Sequence, residues 1–480
     1  MRPIVQFTRG VIGFGAPRLA STGAMFLLAV VLARICDPAQ FGVISFVLAA
    51  STILVTLADL GMTQALQKFV QQIGESVIRP AFFVRLAMCA ALGLAAWVVD
   101  LAWGVFKGTG GWIGLITLTS AFQIVAAAEN ARMRFRWAGI YQIATTLFFF
   151  VLAVALALLW DPVAGPFAAR AASFALLAVP LLSWPFFRHG ALRIPGLGSV
   201  LRFGLLATLN SVFTVIFYRS DILVLTYLKG YAAAGSFRVA HTLADVPMLI
   251  QPVVSLPLMP ILAEQIRAGR GADLARFRQL VTSAVVVLLG PLLVGGLLYA
   301  RPLVTGFFGA RYGDSVPAFA LLLVSSAIQI GIVAHAYVFY LDGRLALLCW
   351  IGGVEALVNV AGNLLLIPRY GITGAAVASL ATLVVGSAIL LVLFYRAYPA
   401  PAPTGAAGRF AAALAVTLLG GLALRRFATG LPGLLACLAL VCSVYAAALV
   451  AFRVVPHEKV RGALGEVLAR KTGAPPIEPD

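Results

Sequence analysis

The chain is expected to be an all-α integral membrane protein of fourteen transmembrane helices, built as two parallel six-helix repeats plus two C-terminal helices. Three observations predict this. Hydrophobic residues make up 62% of the 480 residues and charged residues only 11%, against about 25% charged in soluble domains. Apolar runs long enough to cross roughly 30 Å of hydrocarbon, about 20 residues each, recur fourteen times along the chain. Lysine and arginine alternate between successive loops, as the positive-inside rule requires.

The first six runs centre near residues 22, 54, 92, 120, 149 and 175. The next six centre near 214, 248, 289, 328, 356 and 384, and two more near 416 and 442. The first run, from about Val11 to Ala33, is too long for a signal-peptide core, and no cleavable signal is evident. The resulting divisions are an N-terminal lobe over 1–192, a C-terminal lobe over 193–398, two further spans over 399–455, and a cytoplasmic tail over 456–480. With the N-terminus inside, the inner segments hold 23 lysines and arginines and the outer loops 8. A miscounted span would have collapsed that asymmetry downstream of the error. Both termini are therefore placed on the cytoplasmic side.

The two repeats are visible as sequence. LARICDPAQFGVISFVLA (32–49) resembles LTYLKGYAAAGSFRVAHT (225–242), with Gly42 falling on Gly235. WDPVAGPFAARAASFALL (160–177) resembles RYGITGAAVASLATLVVG (369–386), with Gly165 falling on Gly374. Parallel repeats of this kind enclose a central cavity and suit alternating access.

Composition also excludes. The net charge of +18 comes in short clusters between apolar runs, so it reads as membrane topology and not as a nucleic-acid surface. The five cysteines are scattered without metal-ligand partners and read as packing residues, so no metal is expected. No Walker A loop is present, and no large soluble domain carries an enzyme's nucleotide-sugar site. The chain is not expected to be an enzyme, and no cofactor is expected.

The segment LARICDPAQFGVISFVLAASTILVTLADLGMTQALQKFV and the later IPRYGITGAAVASLATLVVG resemble polysaccharide-type (oligosaccharidyl-lipid/polysaccharide) flippases of the multidrug/oligosaccharidyl-lipid/polysaccharide exporter superfamily. The 6 + 6 + 2 plan covers essentially the whole chain. The resemblance implies a V-shaped two-lobe transporter in a bacterial inner membrane. It implies movement of an undecaprenyl-pyrophosphate-linked oligosaccharide, of exopolysaccharide or O-antigen type, from the inner to the outer leaflet. Polysaccharide polymerase or export proteins are candidate partners. A drug/cation antiporter of the same fold and a lipid II-type flippase are the alternatives.

Four arginines lie inside spans: Arg18, Arg170, Arg219 and Arg238. An ionised group at mid-membrane costs roughly 3 kcal/mol on insertion scales and so faces a cavity or a partner. Arginine keeps its charge when desolvated and can grip phosphate oxygens in pairs. The functional expectation is a cationic cavity for the pyrophosphate. The competing expectation is structural. Spans 7 and 8 form an antiparallel hairpin, and depth matching sets Arg219 level with Asp245, and Asp221 level with His241 and near Arg238. Asp59, Asp221, Asp245, Glu355 and His241 are thus charge-balancing or ion-coupling candidates, for a proton or sodium ion. Glu355 heads a polar stripe with Asn359 and Asn363. Pro17, Pro247 and Pro252 are expected to bend their helices and serve the gating motion.

Overall fold

The polypeptide reverses direction wherever the apolar runs end, and small local signals set each reversal. The structure, a computed structural model, describes residues 16–179, 197–249, 289–398, 404–428 and 430–452. Helix α1 spans Ala16–Ile35 and α2 spans Pro38–Asp59. Between them Asp37 caps α2: its side chain accepts from the Gln40 amide, Gln40 answers on the Asp37 amide, and Pro38 occupies the first turn. Leu60 and Gly61 both take left-handed conformations, with φ of 45° and 66°, and separate α2 from α3, Met62–Ile73. This short helix was expected to be an inner loop. It forms because its apolar residues fall on one face, which packs on the following helices through Leu66, Phe69 and Val70.

Helix α4 (Ile78–Trp103) and helix α5 (Gly110–Thr119) form a hairpin. The carboxylate of Asp100 organises their turn by accepting from the amides of Phe106, Gly108 and Gly110. Gly93 and Gly114 let the two backbones touch, since a Cβ on either would sit 2.5–2.7 Å from the other's carbonyl oxygen. Helices α6 (Ile124–Ala131), α7 (Phe135–Leu159) and α8 (Ala164–Ala175) complete the first lobe.

The second lobe holds α9 (Leu197–Lys229), α10 (Tyr231–Ala244), the bent pair α11 (Leu289–Leu298) and α12 (Ala300–Phe308), α13 (Val316–Leu341) and α14 (Leu345–Ala397). Helices α15 (Thr404–Leu424) and α16 (Gly430–Ala451) follow. Among the described residues nine helices are long and apolar enough to cross a membrane, or ten if the pair bent by 80° at Tyr299 is one span. The 53-residue α14 is not straight. Gly371 leaves the helical region with φ 55° and ψ −130°. Gly362 lies against Ala378, Gly374 against Leu366 and Gly386 against Glu355, so the two halves fold back on one another antiparallel. The exposed side chains are largely apolar: Leu101, Leu159, Leu357 and Leu365 are 70–85% exposed. Such a surface is stable only when lipid covers it.

The glycine pairs aligned from the sequence occupy matching positions. A Cβ on Gly165 would meet the backbone of Leu156 in the preceding helix, and one on Gly374 would meet Leu366 in the same way. Gly42 and Gly235 face each other across the lobes. Added Cβ atoms would lie 1.8 Å from the Tyr231 carbonyl oxygen and 2.1 Å from that of Pro38.

Candidate functional site: a cationic cavity between the lobes

The lobes meet at both ends: at the inner end Gly61 lies against Gly204 and Lys68 over the Phe203 ring, and at the end that charge asymmetry assigns to the outside a wider seam forms. Helix α2 packs on α10 and α9, and α1 on α12. Arg34 donates to the carbonyls of Gly306 and Phe307 at the end of α12, and Arg311 donates to those of Ala33 and Arg34 at the end of α1. Each guanidinium thus satisfies the last carbonyls of a helix belonging to the other lobe, where the helix dipole also favours a cation. Lys107 donates to Thr226 across the same seam.

Beneath this seal lies a cavity of about 370 Å³. Its first-lobe wall carries Ser45, Thr52, Thr56 and Gln123, and Arg170 projects from α8. Arg219 of α9 and Arg238 of α10 close it from the second lobe. The Arg170 guanidinium sits over the rings of Phe174, at 4.2 Å, and Phe149, at 4.9 Å. These faces replace part of its lost hydration. Arg219 lies within electrostatic range of both Arg170 and Arg238. Among the described residues none of the three has a carboxylate oxygen within 4.0 Å, and Nη1 of Arg238 is buried without a hydrogen-bond partner. Three like charges gathered in a cavity, with only Asp245 at longer range, leave it strongly positive.

Among the described residues no ion pair within 4.0 Å joins Arg219 to Asp245, or Asp221 to His241 or Arg238, although Asp245 lies within electrostatic range of both arginines and Asp221 within range of His241. Asp245 accepts from or shares a proton with Nδ1 of His241 at 2.9 Å, one helical turn away. Asp221, 2% exposed, points into the second lobe. Asn363 and the Ser379 hydroxyl (2.8 Å) donate to its carboxylate, and Asn359 links Ser220 to Asn363. Successive helical residues turn by about 100°, so Arg219 and Asp221 leave opposite sides of α9. One reaches the cavity between lobes and the other the interior of its own lobe. Glu355 also lies within the second lobe, against Gly386 and away from the cationic wall.

Asp59 balances an arginine that the sequence reading assigned to a loop. Arg85, in the second turn of α4, is 3% exposed and bonds Asp59 directly, with Thr63 bridging the two. Arg85→Ala should destabilise the protein by about 1–3 kcal/mol because it leaves the partly buried Asp59 carboxylate, 15% exposed, without its charge partner. The double variant Arg85→Met/Asp59→Asn should recover most of that loss, read as thermal unfolding of the protein in detergent. An equal loss in both would show that packing, not charge, holds the site.

Pro247 is buried in the 3₁₀ turn Val246–Leu249 that ends α10. Pro17 and Arg18 fall in the first described turn of α1, and their side chains, like Pro252, lie outside the described residues. Sequence reasoning missed Arg85, Gln64 and Gln123, and the aromatic pair under Arg170. The signal for Arg85 was Asp59, an acid without an assigned partner. The uncharged residues carried none, since single polar residues in spans are common.

A polar vestibule continues from the cavity toward the inner end. It has a volume of about 490 Å³ and shares Val55 and Thr56 with the upper cavity. Among the described residues no three histidine, cysteine, aspartate or glutamate side chains gather as metal ligands.

Residues 31–317 match a family described as Polysaccharide biosynthesis protein. The succinoglycan biosynthesis transport protein ExoT of Rhizobium meliloti (strain 1021) is 25% identical over 411 residues, covering 82% of this chain and 80% of its own. The lipopolysaccharide biosynthesis protein WzxC of Escherichia coli (strain K12) is 26% identical over 311 residues, 61% of each chain. The lipid II flippase MurJ in an inward closed conformation shares the fold at a TM-score of 0.61 and 12% identity, over 92% of this chain and 98% of that one. An inward-facing multidrug resistance MATE transporter of the MOP superfamily shares it at a TM-score of 0.60 and 13% identity, over 80% and 96%.

Proposed function

Because this chain belongs to the polysaccharide biosynthesis protein family, we propose that it flips a polyprenyl-diphosphate-linked oligosaccharide from the inner to the outer leaflet of a bacterial inner membrane. The observation that carries this reading is the convergence of Arg170, Arg219 and Arg238 on one cavity without paired carboxylates. A diphosphate supplies the missing negative charge and enough oxygens for several guanidinium groups. The polyprenyl tail stays in lipid while the headgroup occupies the cavity.

The names of the two relatives, a succinoglycan transport protein and a lipopolysaccharide biosynthesis protein, support the same substrate class. A drug/cation site would be expected to present acids, and this wall presents arginines. The matched glycine contacts favour two parallel repeats; the same reading has fourteen spans in a 6 + 6 + 2 plan, with lobes over 1–192 and 193–398, spans 13 and 14 over 399–455 and both termini cytoplasmic. Proton or sodium coupling would use the acids set apart from the cationic wall, Asp221 foremost, whose partners are neutral donors. A polymerase is the partner that would consume the flipped product.

Deleting the gene and extracting lipids tests the function. Undecaprenyl-pyrophosphate oligosaccharide should accumulate on the inner leaflet. An unchanged pool with altered drug tolerance would point to the antiporter alternative, and accumulated peptidoglycan precursor to a lipid II-type flippase.

A further inference from the structure

The vestibule beneath the cationic cavity differs from it in chemistry. Its one guanidinium, Arg85, is neutralised by Asp59. Its remaining polar wall is uncharged: Thr56, Gln64, Asn210 and Thr214 are prominent there. Several of these groups are only partly used by the protein. Gln64 makes one long bond, Nε2 to the Ser211 hydroxyl at 3.3 Å, and its Oε1 is buried without a partner, so the amide gains a bond when it turns into the chamber. Among the described residues no hydrogen bond is formed by the Asn210 side chain. The hydroxyls of Thr56 and Thr214 each donate to their own helix, at 2.8 and 2.9 Å, which leaves their lone pairs free to accept. Amides that can both donate and accept, beside hydroxyl acceptors, match the alternating donors and acceptors of sugar hydroxyls. The volume, about 490 Å³, falls within the roughly 300–1,000 Å³ of small-molecule sites.

Connectivity fixes the order. In a polyprenyl-diphosphoryl glycan the first sugar is bonded directly to the diphosphate. A glycan site must therefore adjoin the anion site, and Val55 and Thr56 line both chambers. We propose that the vestibule is a glycan subsite: it holds the uncharged, hydroxyl-rich sugars nearest the diphosphate while the diphosphate sits among Arg170, Arg219 and Arg238. Gln64 on α3 and Asn210 on α9 reach the sugar from opposite lobes, whose inner ends already touch where Gly61 lies against Gly204 and Lys68 covers the Phe203 ring. The proposal rests on the flippase reading and deepens it.

Binding to purified protein in nanodiscs tests it, with two probes. One is synthetic undecaprenyl diphosphate without sugar. The other is the lipid-linked oligosaccharide pool extracted from cells lacking the transporter. Gln64→Ala/Asn210→Ala should bind the sugar-free lipid like the parent and lose about tenfold in affinity for the glycan-bearing pool. Thr214→Val, which keeps shape and removes an acceptor, should show the same selectivity at smaller size. Equal losses on both probes, or no loss on either, would overturn the glycan subsite. If the parent itself binds neither lipid, the flippase reading has failed and the subsite falls with it.

Discussion

Arg219→Ala should cut export of lipid-linked oligosaccharide by at least about tenfold, the loss of one charge-assisted contact to phosphate. Arg238→Ala should do the same. Both are measured by complementing a deletion strain at matched protein level. The loss follows from position. Arg219 and Arg238 enter the cavity from the second lobe, opposite Arg170 of the first. A diphosphate held among them bridges the lobes, and the bridge weakens when either arginine goes. Arg219→Lys should retain part of the activity, since a point charge remains and the paired donors do not. Asp245→Asn decides between roles. If the arginines were present to balance that acid, removing its charge would rescue Arg219→Ala. In a diphosphate site Asp245→Asn gives no rescue, because the acid already has His241 at 2.9 Å.

Gly42→Ala should abolish transport by holding the outer seam open. A Cβ there would lie 1.8 Å from the Tyr231 carbonyl oxygen, a backbone atom of the opposite lobe that no rotamer change can move. The helices α2 and α10 must separate. Gly23→Ala is the control, since nothing lies within 4 Å of the atom it adds. Cys36 reports the opening. It is fully buried at the seam, and burial, with Asp37 nearby, pushes its thiol up to about 11 from 9.0. Only the thiolate reacts. Opening the seam hydrates the thiol and returns it toward its ordinary range, so at pH 8 the thiolate fraction rises roughly a hundredfold. The measurement is labelling by a membrane-impermeant maleimide applied from outside, in protein whose other four cysteines are serine. A Gly42→Ala protein that exports normally and keeps Cys36 protected would show that this contact is no gate.

The arginines illustrate how far composition reaches. A charge carried into an apolar run is conspicuous in one dimension, and all three that line the cavity stood out in that way. Their freedom from carboxylates was not legible. Depth along a helix can be counted from the sequence, but direction around it depends on which face the lobe buries. Asp221 lies at the right depth but turns into its own lobe, and Asp245 lies near the arginines but closes on His241. Arg85 shows the reverse error. Seven residues into α4, it was counted with the loop because flanking charge is the usual signature of a membrane boundary. Burial against Asp59 made it part of the wall.

The sequence by itself determined that this chain lives in lipid, that its apolar runs are helical, that similar glycine-bearing segments recur along it, and that four arginines and four acids lie inside its apolar runs. These follow from local chemistry: hydrocarbon thickness, backbone hydrogen bonding and side-chain size act residue by residue. Only the tertiary structure decided which charges meet, because contacts between residues more than a hundred positions apart depend on how helices rotate and cross. That rotation placed three guanidinium groups together, turned Asp221 toward neutral donors, and set an uncharged chamber beside a positive one.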